Sequence, residues 1–203
     1  MFIVLEGIDG AGTTTQAHRL AGWFAARALP AYLTAEPSGG RVGRLIREYL
    51  AGAVDAPDPD RHFHQLALLF AADRLDHLAR EVEPRLRQGL HVISDRYVLS
   101  SLVYQSLHCD PQWVRAINAQ APAPDLTFLL DLPAELAMER IARRSLFTPA
   151  EIYETVEQQE RLRALYLQAA TDLFPDQQII LIDGALPPDQ VHQLIVAQLQ
   201  RRI

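Results

Sequence analysis

Gly7-Ile8-Asp9-Gly10-Ala11-Gly12-Thr13-Thr14-Thr15 follows directly on the apolar run 2–6 and opens a stretch of helical periodicity. Glycines in such a loop let the chain turn sharply and approach an anion, so that successive N–H groups and a helix N-terminus converge on one phosphate. The spacing fits G-x-x-x-x-G-K-[ST] at every position but one: Thr13 stands where the lysine belongs, while Thr14 can place its hydroxyl on Mg²⁺. A plain glycine-rich strand-to-helix turn would carry the same glycines. The buried strand before the loop and the helix after it are the context a phosphate loop demands, and they decide for phosphate. Gly7, Gly10, Ala11, Gly12, Thr13, Thr14 and Thr15 are therefore the candidate phosphate-binding residues.

Three further groupings could do chemistry. Phe70 and Arg74 lie four apart on one helical face, so an aromatic ring and a guanidinium could meet one ligand. As a lone pair they read better as a core ring beside a surface arginine. Asp95-Arg96 ends the third apolar run, where the two side chains either enter a cleft together or form a strand-end ion pair. Arg143-Arg144 closes a helical stretch, bringing cations to a phosphate or complementing the helix dipole.

These residues need a frame. Short apolar runs at 2–6, 31–35, 91–95, 126–131 and 178–183 read as strands, alternating with helical patterns at 14–28, 41–51, 60–89, 100–106, 111–120, 134–144, 152–173 and 188–202. The helix over 60–89 is expected to break near Pro84. Such alternation predicts an α/β fold with a five-stranded parallel sheet flanked by helices. Ligands in these sheets bind beyond the carboxyl ends of the strands, where the candidate residues cluster. Ser100 is expected to cap the helix that follows the third strand.

Composition narrows the function classes. A length of 203 residues suits a single domain, and 49% apolar content supports a packed core. Net charge is −6 with no basic stretch beyond paired arginines, which argues against a nucleic-acid partner. No apolar run approaches membrane-spanning length, and the four-residue run at the N-terminus is too short for a signal peptide. One cysteine, Cys109, cannot make an internal disulfide, which fits a reducing compartment. All 19 basic residues are arginine, so every fixed positive charge is a guanidinium.

Five stretches together resemble the thymidylate kinases, in that family's order and spacing. They are Phe2 through Gly12 with its acid at position 9; Thr34-Ala35-Glu36-Pro37-Ser38-Gly39-Gly40; Leu68-Leu69-Phe70-Ala71-Ala72-Asp73-Arg74; Asp95-Arg96-Tyr97 through Tyr104-Gln105; and Pro124-Asp125-Leu126 through Asp131-Leu132. The likeness spans residue 2 to the C-terminus and is weakest over 106–123 and 145–150. It implies a three-layer P-loop NTPase fold in one kinase domain, 1–203, with a lid around 143–151. It implies transfer of the γ-phosphate of ATP to dTMP, giving dTDP and ADP, with Mg²⁺ on Thr14 and Asp95. By the same likeness ATP lies on the phosphate loop and Arg143. The acceptor meets Asp9 at its 3′-hydroxyl, Glu36 and Pro37 of the second-strand motif, Phe70, Arg74 and Ser101 at thymine, Tyr104 at the ribose 2′ position and Arg96 at its phosphate. Asp95, Arg96, Arg143 and Arg144 would carry catalysis. Asp183-Gly184-Ala185 matches the adenine-side loop, and a cytoplasmic homodimer is expected.

Two positions depart from that pattern. Thr13 replaces the lysine that spans the β and γ phosphates, and Ala35 replaces an arginine offered to the acceptor phosphate. Phosphoryl transfer depends on positioning and charge neutralisation, and one lost contact of this kind typically costs ~10²–10³ in rate. Arg143, Arg144 and Arg41 are the candidates to restore charge. The departures also admit a kinase for another nucleoside monophosphate or small acceptor, or a nucleotide-binding homologue with weakened turnover.

Overall fold

The computed structural model describes residues 1–54, 58–145, 155–173 and 178–202. Five strands, β1 (Phe2–Glu6), β2 (Ala31–Ala35), β3 (His91–Asp95), β4 (Leu126–Asp131) and β5 (Ile179–Asp183), form one parallel sheet in the order β2-β3-β1-β4-β5. The described helices are α1 (Thr13–Ala25), α2 (Arg41–Leu50), α3 (Pro59–His77), α4 (Glu83–Arg87), α5 (Val98–Tyr104), α6 (Pro111–Ile117), α7 (Ala134–Ser145), α8 (Val156–Gln168) and α9 (Pro188–Leu199).

Strand alternation sends β1 side chains to two layers. Ile3 and Leu5 join a core with Leu20 and Phe24 of α1, whereas Phe2 and Val4 pack with Leu78 and Val82. Both faces are thus covered, as a fully parallel sheet requires. The chain leaves β1 toward β2 but leaves β3 toward β4 on the far side of β1, so right-handed crossovers put their helices on opposite faces. The crevice at that switch point opens above the carboxyl ends of β1 and β3.

The predicted break near Pro84 takes a gentler form. A π-helical turn over Leu78–Val82 joins α3 to α4, with the Glu83 N–H bonding the Leu78 carbonyl. A wider turn just ahead of Pro84 accommodates a residue that has no N–H to donate and whose ring crowds the preceding turn. Ser100 is not a cap: α5 starts at Val98, and its N-cap residue Tyr97 makes no side-chain cap bond. Glu6 of β1 does the capping, accepting from the N–H groups of Tyr97 (2.9 Å) and Ser100 (3.2 Å).

Candidate active site

The loop between β1 and α1 bends through Gly10 and Gly12, at φ +81° and +94°. At Gly10 a Cβ would also stand 2.7 Å from the Ala137 carbonyl, so the loop lies directly against α7. Gly7 serves the packing beneath: a Cβ there would meet the Leu130 carbonyl at 2.8 Å. The loop residues Ile8 through Gln16, with Ala11, Gly12, Thr13, Thr14 and Thr15 among them, form one end of a cavity of about 900 Å³. Phe70, Arg74, Ser101 and Tyr104 line the same cavity, as do Glu36, Pro37, Arg96 and Gly184.

Asp9 of the loop and Arg96 meet in the cavity wall. Arg96 Nη2 lies 2.5 Å from Asp9 Oδ1, and Tyr104 donates to Asp9 Oδ2 at 3.0 Å. Burial pushes the Tyr104 hydroxyl well above its ordinary pKa, so it stays a neutral donor. Arg96 adopts φ +70°, an unfavourable backbone state for a side-chain-bearing residue, and its N–H is tied to the Leu5 carbonyl at 2.9 Å. Asp95, just before it, accepts the Thr14 hydroxyl on Oδ2, while its Oδ1 is buried without a hydrogen-bond partner.

Arg74 is not a surface arginine. It is 1% exposed, and its guanidinium contacts Glu36 (2.7 Å), the Tyr97 carbonyl (3.1 Å), the Ser101 hydroxyl (2.9 Å) and Asn118 Oδ1. Glu36 also meets His77 Nδ1 at 3.3 Å, and His77 Nε2 lies 2.7 Å from the Thr34 hydroxyl. Glu36 and Arg74 are therefore paired, hydrogen-bonded and orientationally locked.

Several arrangements escaped sequence reasoning. Glu6, 0% exposed, receives Ser100 and Tyr166 hydroxyls besides the two backbone N–H groups, and burial pushes its carboxyl up to about 7 against those donors and the Arg96 charge. A charged residue closing a buried strand was the signal available for it. Asn118 lies in the stretch of weakest resemblance and offered none. On α7, Arg140 reaches the loop, donating to the Gly10 carbonyl at 3.4 Å, whereas Arg143 is 82% exposed beside Glu139. Arg144 is the next-to-last residue of α7, with its side chain outside the described part, and residues 146–151 of the expected lid lie outside the described residues. Arg47 lines the cavity and donates to the Pro37 and Ser38 carbonyls, just after Ala35 in the chain; Arg41 is exposed.

The cavity wall thus carries Arg47, Arg74, Arg96 and Arg140 against Asp9 and Glu36. In a chain of net charge −6 this is a local excess of cations, suited to a polyanionic ligand.

Comparison with known proteins points to one family. The thymidylate kinase family pattern matches residues 5–195. The chain is 42% identical over 207 residues to a probable thymidylate kinase of Thermococcus gammatolerans, covering 100% of this chain and 97% of that one. It is 39% identical over 203 residues to a probable thymidylate kinase of Pyrococcus horikoshii, with 100% and 97% coverage. A putative thymidylate kinase of Treponema pallidum is 39% identical over 204 residues, with 98% and 94% coverage.

Proposed function

The chain belongs to the thymidylate kinase family, with its P-loop NTPase fold, and on that premise we propose that it transfers the γ-phosphoryl group of ATP to dTMP, giving dTDP and ADP. The observation that carries this reading is the single cavity with a phosphate loop at one end, an aromatic and guanidinium pair at the other, and four arginines in its wall. ATP lays its phosphates on the loop with Gly184 on the adenine side. Thymine stacks on Phe70 with Arg74 and Ser101 at its polar edge. Asp9 takes the 3′-hydroxyl, Tyr104 crowds the 2′ position, and Arg96 with Arg47 holds the acceptor phosphate beside Glu36 and Pro37.

Thr14 and Asp95 would hold Mg²⁺. Both present oxygen donors in contact, and the unpartnered Asp95 Oδ1 has lone pairs to give. Among the described residues no group of three His, Cys, Asp or Glu side chains could hold a metal. A bound Mg²⁺ would supply charge neutralisation on the transferring group. The chain's own part is positioning: backbone N–H groups cradle the donor, Arg96 orients the acceptor, and Arg140 brings a cation to the loop. Arg143 and Arg144 would join from the end of α7.

Thr13 and Ala35 favour a second reading, a nucleotide-binding homologue with weak turnover. Coupled ADP release measured with dTMP, dUMP, thymidine and other monophosphates separates the two. Preference for dTMP supports the kinase. Binding of dTMP and ATP with no ADP formed, unrescued by Thr13→Lys, supports the weakened homologue.

The same family membership supports a single kinase domain acting as a cytoplasmic homodimer. On α3, Leu68, Ala72, Leu75 and Ala79 of the adjoining π turn are exposed at helical spacing, giving a second copy an apolar stripe to cover. No helix among the described residues is long and apolar enough to cross a membrane.

A further inference from the structure

Arg96 is held from two sides. Asp9 meets one terminal nitrogen; the other, Nη1, donates to the Ser100 and Tyr166 hydroxyls, each at 3.3 Å. Both hydroxyls also reach Glu6 Oε2, and they stand 2.8 Å from each other. No described contact joins Glu6 to Arg96 directly; β1 acts on β3 through α5 and α8.

Hydrogen-bond direction gives this relay its meaning. A hydroxyl that donates to a carboxylate turns its lone pairs away from it. With Glu6 ionised, Ser100 and Tyr166 point their protons at Glu6 and their lone pairs at the guanidinium. A proton on Oε2 must itself be donated, and the nearest acceptors are those same hydroxyl oxygens. It would compete with Arg96 for them.

We propose that Glu6 is a positioning residue for the acceptor site, orienting the Ser100 and Tyr166 hydroxyls so that they hold Arg96 in its phosphate-binding pose. The inference rests on the reading that Arg96 binds the acceptor phosphate. The charged or titratable groups around Glu6 are Arg96 at the end of β3, Tyr97 and Tyr104 of the β3–α5 segment, Tyr166 of α8 and, beyond Arg96, Asp9. The arginine is the cation among them, and it favours ionised Glu6.

Glu6→Gln is the direct test, because its amide nitrogen donates where Oε2 accepts and imposes the reversed arrangement at every pH. The KM for dTMP is expected to rise about tenfold, the loss of one hydrogen bond to a charged group, with the KM for ATP unchanged. In the wild type, kcat/KM for dTMP should fall as pH drops through about 7. In the variant only the substrate phosphate's own ionisation, near about 6, should remain. Arg96→Ala should raise the dTMP KM further, and adding Glu6→Gln to it should cost nothing more, since the relay then has nothing to hold. If Glu6→Gln does not fold, Tyr166→Phe keeps the ring and removes one relay hydroxyl. It should raise the dTMP KM and move the acid limb upward. Unchanged dTMP KM and pH profile in either variant, or additive losses with Arg96→Ala, would overturn the proposal. A wild-type dTMP KM in Arg96→Ala alone would remove the acceptor-site reading, and the relay with it.

Discussion

Thr13 is 6% exposed at the first position of α1, in the wall of the cavity. A lysine grown from that Cα would have the cavity to extend into, and would add a cation beside the loop N–H groups. Thr13→Lys is accordingly expected to raise kcat/KM for ATP by about ten- to a hundredfold, while Arg140→Ala should lower it by ~10², each near the worth of one electrostatic contact to the transferring phosphate. Steady-state rates at varied ATP check both. Arg74 offers a test of stability as well as binding. Removing it strands Glu36, which is 5% exposed, without its counter-charge, and leaves Asn118 and Ser101 short of a donor. Arg74→Ala should cost about 3–5 kcal/mol in urea unfolding, far more than a surface ion pair such as Arg80 with Asp76.

At the scale of elements, the phosphate loop is shaped by what it touches. Gly10 and Gly12 both lie at positive φ, yet a Cβ at Gly12 meets nothing within 4 Å while one at Gly10 runs into the Ala137 backbone. Gly12→Ala should therefore cost about 1–2 kcal/mol of backbone strain. Gly10→Ala should cost clearly more and weaken ATP binding by pushing the loop off α7. Thermal unfolding with and without ATP ranks the two. The junction of β1, α5 and α8 at Glu6 carries its own signature. Burial pushes its carboxyl up to about 7, above the ordinary glutamate range, so between those limits the folded state holds the extra proton. Stability from this group is full below about pH 4.5 and declines through pH 7, by on the order of 3 kcal/mol in all. Urea unfolding at pH 5 and pH 8 should show that decline in the wild type and lose it in Glu6→Gln.

At the scale of the molecule, the apolar stripe on α3 predicts assembly. Leu68 and Leu75 are 51% and 44% exposed, and a paired Leu68→Glu, Leu75→Glu variant should convert a dimer to monomer in light scattering while leaving the far-ultraviolet circular dichroism unchanged. The sheet was legible in advance because buried parallel strands are short continuous apolar runs. Four of the five strands fall on their expected residues, and the fifth begins one residue later, at Ile179. The phosphate loop was legible because its chemistry is local, nine consecutive residues whose backbone does the binding. The helix ends were less so: α1 stops at Ala25 and α6 at Ile117, each three residues short of expectation, where local turns take over the last backbone bonds.

By itself the sequence determined the strand order along the chain, the loop that cradles phosphate and the absence of its lysine, since each depends on near neighbours. Only the tertiary structure decided which distant side chains share a charge. It set Glu36 on Arg74 across 38 residues, Asp9 on Arg96 across 87 and Tyr166 on Glu6 across 160. It also brought Arg140 to the loop and left Arg143 in solvent, one helical turn apart on the same α7. Burial makes such pairings strong, and burial is a property of how elements pack. That is why Thr13 could be read as a deficit from the sequence alone, while the guanidinium nearest to answering it could not.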